Sequence, residues 1–151
     1  MSAMEFQGGE WVVSTDRARL DRDLIHRILA HSYWAEGVPR QVVERSLENS
    51  LCFGVFEDGV QIGFARVITD YATYAYLADV FILETHRSRG AARFLMECIL
   101  RHPQLQNLRR WTLVTRDAHA LYAKFGFTPL EKPERFMELH NPGVYSKKEG
   151  A

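Results

Sequence analysis

Apolar residues recur along this chain with two different spacings, and the spacings predict the kind and order of its secondary-structure elements. Segments with apolar residues three or four positions apart and charged residues between them predict amphipathic helices, at 20–29, 39–47, 91–101 and 118–125. Pro39 favours the start of the second helix, because proline is tolerated in a first turn. Pro103 and Gly126 favour the ends of the third and fourth helices.

Runs rich in β-branched and aromatic residues predict the strands, at 11–15, 51–56, 61–69, 74–83, 111–115, 127–128 and 136–139. The dipeptide Asp58-Gly59 predicts a tight hairpin turn between the second and third of them. The run 74–83 is almost uniformly apolar except for Asp79, which is typical of a central strand covered on both faces. The elements together predict an α+β protein with a mixed sheet.

Composition narrows the class of protein. The chain has 151 residues, of which 46% are hydrophobic and 25% charged, as expected for one globular domain. Nineteen basic and nineteen acidic residues cancel, so we expect no nucleic-acid or membrane partner. The absence of a recognisable signal peptide or long apolar run predicts a cytoplasmic protein. We place the domain at 10–140, with loosely ordered termini at 1–9 and 145–151.

Cysteine and histidine usage gives little sign of a metal site. Cys52 and Cys98 each lie in an apolar run, which predicts two buried thiols. The chain contains no Cys-x-x-Cys or His-x-x-x-His spacing, and its six histidines show no ligand spacing. We therefore expect no metal ion.

The segment 87–93 joins the apolar run to the third helix and could bind a phosphate. Gly90 is followed by two alanines, so a phosphate could approach the unpaired N–H groups of the first helical turn. Arg87, Arg89 and Arg93 add positive charge to the same place. From this segment alone, an ordinary solvated helix start is an equally good interpretation.

A second segment, 117–127, contains a short predicted helix with Tyr122 one turn before Gly126. A tyrosine at such a place is most often a core aromatic. The alternative is a proton donor, because a phenol with an ordinary pKa of about 10 can protonate a thiolate leaving group.

Together the two segments resemble the GNAT superfamily of acyl-CoA-dependent N-acetyltransferases. The family pattern Gln/Arg-x-x-Gly-x-Gly/Ala is matched by Arg87, Gly90 and Ala92. The pattern Ala-x-x-x-Tyr-x-x-x-Gly-Phe is matched from Ala118 to Phe127. The order of elements also fits, so the resemblance covers about residues 10–140. Departures from the family patterns are small. Ala92 and Ser88 stand where glycine is frequent, and Asp117 stands where asparagine is frequent.

The resemblance implies a GNAT-like fold, with a central, mostly antiparallel mixed sheet splayed between the fourth and fifth strands and about four flanking helices. It implies that acetyl-CoA binds in the splay, with its pantetheine arm paired to strand backbone and its pyrophosphate at the third helix. The implied cofactor-binding residues are Val80, Phe81, Ile82, Arg87, Ser88, Arg89, Gly90, Ala91, Ala92, Arg93, Asp117 and Lys124.

The implied activity is acetyl transfer to a primary amine, on a small molecule or a peptide, by direct attack in a ternary complex. Tyr122 would protonate the departing thiolate. Asp79 would act as base or proton relay, or alternatively as a buried structural carboxylate. Tyr33, Trp34 and Tyr76 are the candidate residues for binding the acceptor. The exposed aromatics are also compatible with a homodimer.

Two other functions stay open on the sequence. One is a non-catalytic acyl-CoA-binding sensor or scaffold. Tyr122 argues against it, because a protein that only binds acyl-CoA needs no phenol at the thioester. The other is a transferase of a longer acyl group.

Overall fold

The computed structural model describes residues 2–146 and shows one open, six-stranded sheet flanked by helices. The strands lie in the sheet in sequence order: β1 (Glu5–Gly8), β2 (Trp11–Ser14), β3 (Leu51–Glu57), β4 (Val60–Thr69), β5 (Tyr74–Ile82) and β6 (Arg110–Leu113). Neighbours from β1 to β5 pair antiparallel, whereas β5 and β6 run parallel. The mixed sheet predicted from the sequence is confirmed.

Four α-helices cover the two faces of the sheet: α1 (Arg22–Ala30), α2 (Arg40–Glu48), α3 (Ala91–Arg101) and α4 (His119–Ala123). The apolar side of α3 packs with Tyr122 of α4 against one face, in a core that includes Phe53 and Val67. Helices α1 and α2 pack on the other face against Cys52, Phe64 and Phe81. The helical periodicity therefore reflects two separate hydrophobic cores, one on each side of the sheet.

Local signals place several of these elements as predicted. Asp58 and Gly59 both adopt positive φ, at 52° and 78°, as a two-residue hairpin of the expected type requires. Pro39 caps α2, and the Asp21 carboxylate accepts a hydrogen bond from the Leu24 amide at the start of α1. No helix among residues 2–146 is long and apolar enough to cross a membrane.

The two ends of the domain differ from the prediction. Glu5–Gly8, expected in a loosely ordered terminus, form β1, because their backbone pairs with β2 across a tight turn. The two last predicted strands are wrong, since 127–128 and 136–139 form no strand. Pro129 and the turn at Pro133–Arg135 interrupt this part of the chain, and a cleft of about 650 Å³ lies between β6 and residues 125–136. Residues 147–151 of the predicted C-terminal tail lie outside the described residues.

Candidate active site

The two parallel strands, β5 and β6, diverge near one edge of the sheet. Tyr74 to Leu77 of β5 pair with Arg110 to Leu113 of β6, but β5 continues to Ile82 without a β6 partner. Because the N-terminal hairpin adds a strand, the splay predicted between the fourth and fifth strands falls between the fifth and sixth. It leaves backbone of β5 beyond Leu77 free to pair with an extended ligand.

A bulge in β5 accompanies this divergence. The pairing of β4 with β5 shifts so that Arg66 faces Ala78 while Phe64 faces Phe81, which leaves one extra residue in β5. Asp79 lies in this bulge with φ of 56°, in the left-handed region that aspartate enters more readily than most residues. A bulge bends its strand and turns side chains to new directions. The sequence had marked Asp79 only by its charge.

The start of α3 has no side-chain cap. Gly90 is the N-cap residue with φ of 98°, and no side chain accepts a hydrogen bond from the first turn. The positive φ is the reason that glycine is needed there. The free N–H groups and the helix dipole form a site for an anionic group such as a pyrophosphate.

The three arginines of this segment already have partners within the protein. Arg87 Nε donates to the Ile82 carbonyl across 2.9 Å, which ties the segment to the end of β5. Arg89 Nη1 lies 3.9 Å from carboxylates of both Glu10 and Glu57. Arg93 pairs with Glu97 one turn along α3. The side chains of Arg89 and Arg93 are exposed, so both guanidinium groups remain accessible to solvent.

Sequence reasoning missed two residues that border this segment. The Trp11 indole donates to Glu57 Oε1 across 3.0 Å, and its ring lies 3.6 Å from the place that a Cβ on Gly90 would occupy. The Glu57 carboxylate is also 3.8 Å from His86 Nε2. Trp11 and Glu57 are 46 positions apart, so no local pattern could have joined them.

Tyr122 lies in α4 as predicted, with its ring packed into the core and only 8% of the residue exposed. Phe127 contacts the ring edge-on, with centroids 6.1 Å apart. Burial, together with the neighbouring Tyr33, raises the pKa of Tyr122 to about 12. The phenol therefore keeps its proton at every physiological pH.

Trp34 and Arg66 both bind the Asp79 carboxylate. Trp34 Nε1 donates to Oδ1 across 2.8 Å, and Arg66 Nε donates to Oδ2, also across 2.8 Å. Arg66 Nη1 in turn donates to Ser50 Oγ. The Asp79 side chain is only 8% exposed and that of Arg66 16%, so this ion pair is largely shielded from water. The arrangement fixes the loop between α1 and α2 to the bulge in β5.

Tyr33, next to Trp34, reaches the other side of the splay. Its hydroxyl accepts a hydrogen bond from the Arg116 amide across 3.1 Å, and the Arg116 guanidinium lies 3.8 Å above its ring. The rings of Tyr33 and Trp34 meet edge-on at 5.1 Å. The loop therefore bridges from β5 to the segment that follows β6.

The other predicted site residues lie on β5 and on either side of α4. Tyr76 is half-buried, and burial followed by the charge of Asp79 raises the pKa of its hydroxyl. Asp117 is exposed between β6 and α4, and Lys124 is exposed at the end of α4. Val80 is half-buried in the bulge, whereas the side chains of Phe81 and Ile82 lie in the cores, so only their backbone can meet a ligand.

Neither cysteine belongs to this site. Both thiols are buried, and burial raises the pKa of Cys52 to about 11 and that of Cys98 to about 12. Within the described part of the chain, no three His, Cys, Asp or Glu residues are grouped to hold a metal ion.

Comparisons with known proteins show which family the sequence resembles. The sequence model of the acetyltransferase (GNAT) family matches residues 21–127. A curated Gibberella zeae protein, FG08082, described provisionally as an acetyltransferase, is 32% identical in an alignment of 139 residues. The match covers 77% of this chain and 77% of that protein.

Solved structures give the same result. A GNAT-family protein from Xanthomonas campestris pv. campestris, assigned as an acetyltransferase, is 52% identical over 92% of this chain and 99% of its own, with a TM-score of 0.90. An acetyltransferase-assigned protein from Clostridium acetobutylicum, solved with acetyl-CoA, has a TM-score of 0.62 over 92% of this chain and 95% of its own. At 16% identity, that second likeness concerns the fold alone.

Proposed function

Because this chain belongs to the acetyltransferase (GNAT) family, we propose that it transfers an acetyl group from acetyl-CoA to a primary amine by direct attack in a ternary complex. The acceptor is a small molecule or a peptide. One observation carries the proposal: β5 continues to Ile82 beyond its pairing with β6, and the chain then leads into the uncapped start of α3 at Gly90. The catalytic domain is residues 10–140, to which β1 adds an edge strand.

We assign each part of acetyl-CoA to a part of this site. The backbone of Val80, Phe81 and Ile82 would pair with the pantetheine arm as an added strand does. The pyrophosphate would rest on the N–H groups at the start of α3, within the segment 87–93. Asp117 and Lys124 would flank the arm from the side of α4. The Clostridium acetobutylicum structure with acetyl-CoA supports this assignment as a relative of the same fold.

The reaction needs no covalent enzyme intermediate. The neutral amine attacks the thioester carbonyl carbon, and the resulting oxyanion accepts a hydrogen bond from a β5 amide such as that of Val80. The C–S bond then breaks, and the thiolate takes the proton of the Tyr122 hydroxyl. The amine nitrogen loses its extra proton to water or to a base, and Tyr122 regains a proton from solvent.

Tyr33, Trp34 and Tyr76 would form the wall of the acceptor site. Both oxygens of Asp79 already accept hydrogen bonds, from Trp34 and from Arg66, and its side chain is only 8% exposed. We therefore propose that Asp79 acts mainly by positioning Trp34. A role as general base is the second candidate, supported by its place in the strand beside Tyr76.

A thiol-release assay tests the proposed reaction. Acetyl-CoA is incubated with a panel of primary amines, and free CoA is measured over time with wild type and with Tyr122→Phe. We expect amine-dependent release that the variant slows. Thermal stabilisation by acetyl-CoA without release for any amine would instead indicate an acyl-CoA-binding protein. Faster release from propionyl- or butyryl-CoA than from acetyl-CoA would assign a longer acyl donor.

A further inference from the structure

Arg116 is an exposed cation that the structure holds against the loop between α1 and α2. It lies between β6 and α4. Its guanidinium carbon is 3.8 Å from the centroid of the Tyr33 ring, and its backbone amide donates to the Tyr33 hydroxyl across 3.1 Å. Stacking on an aromatic ring restricts the rotamers that a long side chain would otherwise sample. The guanidinium of Arg116 is therefore a charge at a fixed place.

No carboxylate of the described chain neutralises this charge. Among residues 2–146, Arg116 takes part in no ion pair. Asp117 is its neighbour in the sequence and Glu36 lies on the same loop as Tyr33, and both are exposed without pairing to it. A guanidinium that stacks through its flat face keeps the N–H donors of its edge for a hydrogen-bonding partner.

The charges at the other end of the loop cancel each other. Asp79 accepts hydrogen bonds from Trp34 and from Arg66, both across 2.8 Å. The side chains of the Asp79–Arg66 ion pair are only 8% and 16% exposed. This pair presents no net charge to a molecule that lies on the loop. The charge of Arg116, by contrast, is left without a partner in the part of the chain that the structure describes.

Tyr33 connects this cation to the proposed reaction centre. The charge of Tyr33 contributes, after burial, to the raised pKa of Tyr122, so the two phenols are neighbours. The chain also leads from Arg116 directly into α4, the helix that carries Tyr122. Arg116 therefore borders the wall assigned above to the acceptor, on the side of the proposed proton donor.

We propose that the acceptor is an amine that also carries a carboxylate, such as a free amino acid, and that Arg116 binds this carboxylate. The inference rests on the acetyl transfer proposed above and narrows its acceptor. Arginine binds a carboxylate through two parallel hydrogen bonds, which would orient the acceptor on the wall formed by Tyr33 and Trp34. Arg116 would bind the substrate without taking part in proton transfer. A diamine has no anionic group, and the same charge would repel it.

Matched amines with and without a carboxylate test this inference in the CoA-release assay. Phenylalanine is compared with phenethylamine, and lysine with cadaverine. A hydrogen-bonded carboxylate at a charged site should raise kcat/KM by about tenfold or more, so wild type should prefer the amino acid of each pair by that factor.

Arg116→Gln removes the charge and keeps a side chain long enough to cover the Tyr33 ring. We expect kcat/KM to fall about tenfold or more for the two amino acids and to change little for the two amines without a carboxylate. Each substrate is compared between two proteins, so differences in amine basicity cancel. Arg109→Gln is the matched control, because Arg109 is exposed just before β6 and takes part in no ion pair among residues 2–146. It should leave the preference of wild type unchanged.

Calorimetry with acetyl-CoA in the absence of an amine separates a role in cofactor binding from a role in acceptor binding. Arg116→Gln should bind acetyl-CoA with nearly unchanged affinity. Weaker cofactor binding, with an equal loss of activity for both members of each pair, would overturn the inference. CoA release by wild type without preference for the carboxylate would also overturn it and leave the proposed reaction standing. Release with no amine at all would overturn the proposed reaction and this inference with it.

Discussion

Trp34 Nε1 donates a hydrogen bond to Asp79 Oδ1 across 2.8 Å, and this bond joins the loop between α1 and α2 to the bulge in β5. The loop carries Tyr33 as well, whose hydroxyl is bound by the Arg116 amide on the far side of the splay. The wall of the proposed acceptor site therefore depends on one carboxylate 45 positions away along the chain.

Removal of this hydrogen bond should weaken acceptor binding more than cofactor binding. Trp34→Phe keeps an aromatic ring but deletes the N–H donor. A hydrogen bond to a charged group contributes about 1.5 kcal/mol, so the KM of the amine should rise about tenfold. The affinity for acetyl-CoA should stay within twofold, measured by calorimetry. An unchanged KM would mean that Trp34 lies outside the acceptor site.

Asp79→Asn distinguishes a positioning role from a general base. Asparagine keeps an oxygen that can accept from Trp34, and it tolerates the positive φ at position 79. We therefore expect the pH profile of kcat/KM to keep its shape, with a modest loss of stability from the broken Arg66 ion pair. Loss of the acidic limb of that profile, with turnover reduced at least a hundredfold, would assign Asp79 as the base.

The start of α3 should reject a negative side chain without loss of stability. Ala92→Glu places a carboxylate in the first turn, where the helix dipole favours it by about 0.3–1 kcal/mol. The same carboxylate would repel the pyrophosphate, so the Kd for acetyl-CoA should rise at least tenfold. Ala92→Gln, of nearly equal size and without charge, is the control and should bind far more tightly. Equal affinities in the two variants would exclude a phosphate at this helix start.

Tyr122→Phe should slow turnover about 10²–10³-fold, because it removes one general-acid proton and leaves the packing of the ring intact. Stability and acetyl-CoA affinity should change little. Since the pKa of Tyr122 is raised to about 12, wild-type activity should show no loss from this group below about pH 11. Tyr71→Phe, in an exposed turn, is the control. If Tyr122→Phe keeps full activity when the chemical step limits the rate, then the thiolate departs without a proton from Tyr122.

Acid should destabilise the fold through His102. Burial lowers the pKa of this imidazole below its ordinary value of 6.5, and its Nδ1 accepts a hydrogen bond from the Gln104 amide. The unfolded chain therefore binds a proton first as the pH falls, and stability is lost from about pH 6.5 down through the lower folded pKa. His102→Gln, which can still accept the hydrogen bond, should show a smaller decline in Tm between pH 7.5 and pH 5. Parallel Tm curves for both proteins would contradict this.

Local chemistry in the sequence was enough to predict the α3 start, the Asp58-Gly59 hairpin and the place of Tyr122, since each depends on neighbouring residues. The contacts that it could not predict are those between distant residues. Trp11 meets Glu57 only through the pairing of β2 with β3, and Arg66 meets Asp79 only through the bulge in β5. Likewise, the strand predicted at 136–139 is absent. The apolar pattern alone cannot show whether a neighbouring strand is available for pairing.

The parallel contact of β5 with β6 has a consequence for the order in which parts of the molecule open. Among the residues that the structure describes, four residue pairs join β6 to the rest of the sheet, whereas β4 and β5 pair over most of their length. Amide protons of β6 should therefore exchange with solvent sooner than those of β4, by local opening rather than global unfolding. A pantetheine arm bound in the splay would form hydrogen bonds with the β5 backbone where β6 forms none. Part of its binding energy would thus be used to order the protein's own sheet, and bound acetyl-CoA should slow exchange in β6 more than anywhere else.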